Sequence, residues 1–307
     1  MILLDGKKVA QKIRSKLRDS VTFNIEKGLR APKLAIVIVG HNPASETYVA
    51  NKIKACQEVG IEVEKIAMEE SIKERELLAM VRRLNRDKSV DGFIVQLPLP
   101  EHISEAKVLT AIDFRKDVDG LTPMSMGRAI QGLPAFRSAT PSGILELLQA
   151  YAIPTEGKRV VVIGRSNIVG KPMAMMLMQR PYLSLPNMSA SALGDATVTV
   201  CHSKTRRLGA ICRTADIIIV AAGSPKLLKA NMVKEGAVVI DVGINRMDDA
   251  SSPRGYRLVG DVDFGAVAPK CSYITPVPGG VGPMTIAMLL KQTSLAYSAK
   301  VLGLKMK

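Results

Sequence analysis

RVVVIGRSNIVGKP, running from Arg159 to Pro172, decides the fold. Its first part, Arg159 to Gly164, is a continuous run of β-branched apolar residues, the pattern of a strand buried on both faces of a parallel sheet. That run leads straight into Gly164, Arg165, Ser166, Asn167, Ile168, Val169 and Gly170, and a helical pattern resumes at about Lys171. Strand, glycine turn and helix is the layout that cradles a pyrophosphate, because the first amides of a helix have no partner within it. The spacing departs from the usual G-x-G-x-x-G, since Ser166 stands where the second glycine would be. Taken alone, the turn leaves dinucleotide binding and a plain structural role both open.

The chain after this turn bears on which coenzyme would fit. NAD enzymes generally end the next strand in Asp or Glu, which holds a ribose hydroxyl, whereas a 2′-phosphate calls for cations and hydroxyls. Here the strand Ala196 to Val200 (ATVTV) ends in Cys201, His202, Ser203, Lys204, Thr205, Arg206 and Arg207. A carboxylate is missing, and Arg165 stands beside the turn with a guanidinium able to fork two bonds onto a phosphate. NADP is therefore favoured over a merely solvated helix start. Asp216 to Gly223 (DIIIVAAG) and Ala237 to Asp241 (AVVID) read as two more buried strands. Their ends, Gly223-Ser224-Pro225 and Val242-Gly243-Ile244-Asn245, are expected at the cofactor. Pro181 to Asp195 reads as an inserted surface loop. Pro276-Val277-Pro278-Gly279-Gly280-Val281-Gly282-Pro283 lets a ligand approach bare backbone, or makes a rigid turn, ahead of a helix packing through Met284, Met288 and Leu289.

Before the turn, Thr140 and Pro141 open a helix through Ile144, Leu145 and Leu148 that links two domains. The first half also alternates strand and helix, with no detectable repeat of the second. Asp5 caps a helix to about Glu26; Leu34 to Gly40, Ile61 to Met68 and Asp91 to Leu97 are strands; Ser71 and Glu74 form a capping-box pattern for the helix through Leu77, Met80, Val81 and Leu84. Such alternation predicts parallel pairing with right-handed crossovers. Between the first two of these strands lies NPASETYVANKIKACQEVG, Asn42 to Gly60. Asn42 suits an N-cap, Pro43 the first helical position and Gly60 a left-handed stop. Tyr48 and Lys52 share one face of that helix, and the stripe Val49, Ile53, Cys56 and Val59 packs it. Ligands of open α/β sheets sit outside the carboxyl ends of strands, where Gln96 is found. Lys116, Asp117, Val118, Asp119 and Gly120 form an acidic turn that read alone is a surface turn.

Composition narrows the classes. The chain has 307 residues, 47% of them hydrophobic, enough for two domains with full cores. Aromatic content of 4% without Trp argues against a stacking platform for single-stranded nucleic acid. A formal charge of +15 invites a polyanion, but the basic residues are dispersed and accompany no nucleic-acid-binding signature. The same field suits small anionic ligands. Cys56, Cys201, Cys212 and Cys271 show no metal-type pairing, and Cys201-His202 alone does not make a metal site. Apolar runs fall short of the roughly 18 residues of a membrane span, and the N-terminus lacks a signal-peptide core. A cytoplasmic protein without nucleic-acid or membrane partners is expected, an amphipathic mitochondrial presequence being the alternative.

YVANK (Tyr48 to Lys52), DGFIVQLPLP (Asp91 to Pro100), KDVDG (Lys116 to Gly120), GRSNIVGKP (Gly164 to Pro172), CHSKT (Cys201 to Thr205) and TPVPGGVGPMT (Thr275 to Thr285) together resemble the bifunctional methylenetetrahydrofolate dehydrogenase/cyclohydrolase family, in order and over nearly the whole chain. Two departures are the long Pro181 to Asp195 loop and Ala139, where many members carry Cys. The resemblance implies two α/β domains with parallel sheets and a ligand cleft between them. It assigns 1–139 with 283–307 to a catalytic folate-binding domain and 140–282 to a Rossmann-like NADP-binding domain. It further implies a homodimer acting on tetrahydrofolate derivatives in one-carbon metabolism and purine biosynthesis, and the +15 charge would suit an acidic polyglutamate tail on them.

By resemblance, Lys52 is the catalytic lysine, assisted by Tyr48 and Gln96. Val95, Leu97, Asp119 and the loop Pro276, Val277, Pro278, Gly279 and Gly280 join them around the folate. Thr140, Gly164, Arg165, Ser166, Ile168, His202, Ser203, Ala222, Gly223, Gly243 and Ile244 would hold NADP. No metal is implied. The short-chain dehydrogenases also use Tyr-x-x-x-Lys, but they place it after the glycine turn rather than far ahead of it. A dehydrogenase with little or no cyclohydrolase activity is the narrower alternative, and Lys52 with Gln96 argues against it.

Overall fold

A computed structural model describes residues 1–181, 193–249, 251–252 and 255–301; most of the Pro181 to Asp195 insertion lies outside the described residues. The first part of the chain forms β1 (Ile2–Leu3), α1 (Gly6–Glu26), β2 (Lys33–Val39), α2 (Pro43–Glu58), β3 (Glu62–Met68), α3 (Glu74–Arg86), β4 (Gly92–Val95), α4 (Glu105–Ala111), α5 (Pro123–Ile130) and α6 (Ala139–Ala150). There follow β5 (Arg159–Ile163), α7 (Gly170–Met178), β6 (Thr197–Cys201), α8 (Leu208–Cys212), β7 (Ile217–Val220), β8 (Ala237–Asp241), β9 (Asn245–Asp248), β10 (Tyr256–Val259), α9 (Phe264–Val267), β11 (Cys271–Ile274) and α10 (Val281–Val301).

The described residues divide into two compact units, 11–139 with 286–301, and 1–10 with 140–285. In the first unit a three-stranded parallel sheet runs β3-β2-β4. Central β2 is buried along nearly all of its length, as its unbroken apolar run predicts, while edge strand β3 is largely half-buried or exposed. Leu77, Val81 and Leu84 of α3 pack with Ala35, Val37, Phe93 and Val95 in one cluster. Val49, Cys56 and Val59 of α2 pack with Leu34, Ile36, Ile38, Ile94, Leu289 and Leu290 in another. Each fully buried Leu, Ile or Val side chain contributes about 1.5–3 kcal/mol, so these clusters hold α2 firmly to its sheet.

In the second unit, six parallel strands run β1-β11-β8-β7-β5-β6, and β9 and β10 form a separate antiparallel pair. The buried strands β5, β7 and β8 supply Val161, Ile163, Ile218, Val220 and Val239 to its core.

Residues 1–10 group with 140–285: Ile2 and Leu3 pair in parallel with Tyr273 and Ile274, and Leu4 N–H donates to the Ile274 carbonyl at 2.9 Å. One expectation needs correction. The helix-start box is formed not by Ser71 and Glu74 but by Lys73, whose backbone N–H donates to Glu76 at 3.2 Å. Glu74 instead accepts from the Ser104 N–H at 2.9 Å and from Lys107 Nζ at 2.8 Å.

Candidate active site

Helix α2 begins as its sequence dictates. Asn42 Oδ1 accepts the Ser45 N–H at 3.1 Å, Pro43 opens the first turn, and Gly60 closes the far end at φ 78°. Burial of Val49, Cys56 and Val59 fixes the helix's rotation. Tyr48 and Lys52 lie on the same side one turn apart, Tyr48 41% exposed and Lys52 half-buried. Gln96 follows the last residue of β4. Its Nε2 donates to the Leu97 carbonyl at 2.7 Å, which turns Oε1 toward Lys52, and Lys52 Nζ donates to that oxygen at 3.0 Å. Val95 is buried beneath, and Leu97 is half-buried beyond.

Burial pushes the Lys52 pKa down, and the Asp119 carboxylate opposes that shift less strongly. Cys56, one turn further along α2, adds no charge: burial lifts its thiol to about 12, so it stays neutral. Burial also raises the Tyr48 phenol. Among the described residues the hydrogen-bond partner of Lys52 is thus a neutral amide, an arrangement that lets the amine lose its proton without stranding a charge.

The acidic turn divides its labour. Asp117 is buried and accepts the N–H groups of Leu121 at 3.1 Å and Thr122 at 2.8 Å, with burial raising its carboxyl to about 6. It staples the turn. Asp119 is half-buried and sends its charge toward Lys52. Gly120 has φ 67°, and a Cβ there would lie 2.1 Å from the Arg137 backbone carbon, so the residue must be glycine.

In the other unit, the turn after β5 is as tight as its glycines suggested. A Cβ on Gly164 would lie 2.2 Å from the Ala221 carbonyl oxygen, and one on Gly170 would lie 2.2 Å from the Gly164 carbonyl oxygen. Ser166, in place of a second glycine, is a local cap: its Oγ accepts the Val169 N–H at 3.1 Å and its carbonyl accepts the Lys171 N–H at 3.0 Å. Arg165, Ser166 and Ile168 are exposed. Beside β5, the Gly164 N–H donates to the Cys201 carbonyl at 2.8 Å, so the β6 end lies next to the turn. There His202 N–H donates to Thr205 Oγ1 at 2.9 Å and Lys204 N–H to His202 Nδ1 at 3.2 Å, leaving Ser203 exposed on a closed turn. Ala222 and Gly223 at the β7 end, and Ile244 at the β8 end, are exposed, while Gly243 is buried. Thr140 Oγ1 lies 3.0 Å from Thr285 Oγ1.

The structure therefore gathers Tyr48, Lys52, Val95, Gln96, Leu97 and Asp119 in one unit and the turns bearing Gly164, Ser203, Gly223 and Gly243 in the other. Pro276 to Gly280 belongs to the second unit, where the Gly279 carbonyl accepts the Lys7 N–H at 3.1 Å. Sequence reasoning gave no role to Asp241, Asp261 or Thr275. Asp261 binds the amides of Ala222, Gly223 and Ser224, and Asp241 binds those of Gly243, Asp261 and Val262. Their signal was faint: two aspartates beside glycines at strand ends.

Comparison with known proteins yields two family models. The tetrahydrofolate dehydrogenase/cyclohydrolase catalytic domain matches residues 4–119, and the NAD(P)-binding domain of the same family matches 138–301. The Bifunctional protein FolD of Phocaeicola vulgatus is 56% identical over 296 residues, 96% of this chain and 98% of the relative. The crystal structure of the bifunctional FolD from Campylobacter jejuni superposes with a TM-score of 0.87 at 50% identity, over 96% of this chain and 98% of that one. That of Trypanosoma brucei FolD, complexed with NADP cofactor and inhibitor, gives a TM-score of 0.89 at 37% identity over 98% of both chains.

Proposed function

Because this chain belongs to the tetrahydrofolate dehydrogenase/cyclohydrolase family, we propose a division of labour among its residues for that family's two reactions. The protein is an enzyme that oxidises methylenetetrahydrofolate to methenyltetrahydrofolate with NADP and hydrolyses the product to formyltetrahydrofolate.

Lys52 serves both steps. Oxidation leaves a methenyl cation, and a protonated amine nearby would oppose it; burial and the growing positive charge both favour neutral Lys52. The free amine then acts as general base. It takes a proton from water as the oxygen bonds to the methenyl carbon and returns it to the folate nitrogen when the carbon–nitrogen bond breaks, while the remaining hydroxyl proton leaves to solvent as the formyl carbonyl forms. Gln96 holds the amine through a bond that adds no charge, Tyr48 orients it, and Asp119 accepts from the ring N–H and amino groups of the pterin. Val95, Leu97 and Pro276 to Gly280 complete the folate contacts.

The residues present suit NADP. Close backbone approach at Gly164 and Gly170 frees the turn for a pyrophosphate, and the β6 end offers Ser203 with nearby Arg165 where a carboxylate would repel a 2′-phosphate. Thr140, Ser166, Ile168, His202, Ala222, Gly223, Gly243 and Ile244 complete this set. Bound there, NADP supplies the hydride acceptor. We place the enzyme in the cytoplasm as a homodimer that feeds purine biosynthesis, with folates as partners and neither nucleic acid nor membrane engaged; among the described residues no helix is long and apolar enough to cross a membrane.

The hydrogen bond from Lys52 to a neutral Gln96 carries the assignment of the base. Its test follows NADPH formation and methenyl hydrolysis separately in the wild type and in Lys52→Met. Hydrolysis should suffer most in the variant, by about 10²–10⁴-fold, the range of a lost general base. Normal hydrolysis of methenyltetrahydrofolate by the variant removes Lys52 from that role.

A further inference from the structure

Two carboxylates that neither reaction uses lie deep in the unit containing the six-stranded sheet. Asp261 is fully buried. Its Oδ2 accepts the N–H groups of Ala222 at 2.7 Å and Gly223 at 2.8 Å, and its Oδ1 accepts those of Ser224 at 2.9 Å and of the Asn245 side chain at 2.8 Å. Asp241 accepts from Gly243 at 3.0 Å, Asp261 at 2.9 Å and Val262 at 3.0 Å, and its own N–H donates to Thr275 Oγ1 at 2.7 Å. Neither is ion-paired among the described residues, so N–H groups do the whole work of compensating two buried acids.

A carboxylate has room for about four donors, and Asp261 has all four. It has no capacity left for a ligand, so its effect must pass through the groups it holds. Three consecutive amides, Ala222 to Ser224, point inward only because this side chain receives them; without it they would have to turn toward water. Packing adds an independent sign that the backbone is shaped around the two acids. A Cβ on Gly243 would lie 2.4 Å from Asp261 Cγ, and one on Gly260 would lie 1.8 Å from Asp241 Oδ2.

We infer that Asp261 is a positioning residue for the coenzyme: it fixes the turns after β7 and β8 in the shape that presents Ala222, Gly223, Gly243 and Ile244 to NADP. The inference rests on the assignment of those four residues to the coenzyme. Methenyl hydrolysis needs no coenzyme, which supplies an internal control that a merely structural role would not respect.

The experiment compares Asp261→Asn with the wild type in three readings: KM for NADP, kcat of the dehydrogenase, and kcat/KM for hydrolysis of preformed methenyltetrahydrofolate without NADP. The substitution keeps the shape but turns an amino group against backbone donors. KM for NADP should rise about tenfold while hydrolysis stays within about twofold. An unchanged KM, or a parallel fall in both activities, overturns the inference. Should Asp261→Asn not fold, Asn245→Ala removes a single donor and should raise KM for NADP about threefold, an unchanged value again counting against the idea. Ala222→Glu, at an exposed position, tests the underlying assignment separately. If it leaves KM for NADP unchanged, the turn does not touch the coenzyme and the assignment falls with the inference; if it raises KM while Asp261→Asn does not, only the role of Asp261 is lost.

Discussion

Lys52 and Asp261 are both ionisable groups withdrawn from water, and the protein treats them in opposite ways. The lysine has one neutral hydrogen-bond partner and a proton affinity lowered by burial, with a single carboxylate pulling weakly the other way. The aspartate is saturated by four donors, three backbone amides after β7 and the Asn245 side chain at the start of β9. Under-compensation leaves a group ready to change protonation state, whereas saturation makes a group part of the scaffold. Asp119 and Asp117 divide differently: the charge of Asp119 reaches Lys52, whereas Asp117, its carboxyl raised to about 6 by burial, accepts two backbone amides of its own turn.

The largest effect should come from removing the lysine's freedom to become neutral. Lys52→Arg keeps a cation that cannot lose its proton at neutral pH, so hydrolysis should fall by about 10³-fold although the charge is conserved. Stopped-flow hydrolysis of methenyltetrahydrofolate measures it, and substantial retained activity would mean that Lys52 acts by charge alone.

Next in size is a stability effect at Asp241. Its folded pKa is raised to about 6 from 3.8, chiefly by burial, with the nearby Asp261 carboxylate adding to the shift and hydrogen bonds from Asp261, Val262 and Gly243 opposing it. A raised carboxyl favours the folded state most while it is protonated. Its contribution is therefore fully present below about pH 4 and is lost as pH rises through about 6, at most about 3 kcal/mol over that window. Asp241→Asn stays neutral, so the difference in unfolding free energy between wild type and variant should change across pH 4–7 in urea titrations. A flat difference would place Asp241 with the fully compensated acids.

Gln96→Glu puts a carboxylate where a neutral amide now meets the amine. The Lys52 pKa should rise, the pH profile of hydrolysis should shift alkaline, and the rate at neutral pH should drop about tenfold. An unshifted profile would separate the Lys52–Gln96 bond from catalysis. Smallest is Tyr48→Phe. With the ring half-exposed, loss of one hydroxyl should lower kcat about fivefold and leave the thermal midpoint nearly unchanged. A collapse in stability would assign Tyr48 to packing instead.

Much of this was legible in residue order because its signals are local. Asn42, Pro43, Gly60 and the apolar stripe fall within α2 itself, and the unbroken apolar runs of β2, β5, β7 and β8 need no distant partner to be recognised. The glycines at 164 and 170 announced a tight turn, which the near contacts around them explain. Other features escaped. The strands β1 and β11 and the β9–β10 pair are two to four residues long, too short for a period to register, and β1 carried the first ten residues into the other unit. The helix start at Lys73 depends on which of several nearby carboxylates reaches back, a matter of side-chain geometry.

The sequence by itself determined the α/β alternation, the chemical identity of Lys52, Gln96 and Ser203, and the lack of a carboxylate at the β6 end, since periodicity and residue type are properties of short stretches. Tertiary structure alone decided the strand orders and the burial that lowers the Lys52 pKa. It also decided which aspartates are structural, because Asp261 is satisfied by amides 37 to 39 residues away and Asp241 by amides up to 21 residues away, and only folding brings those donors to the acids.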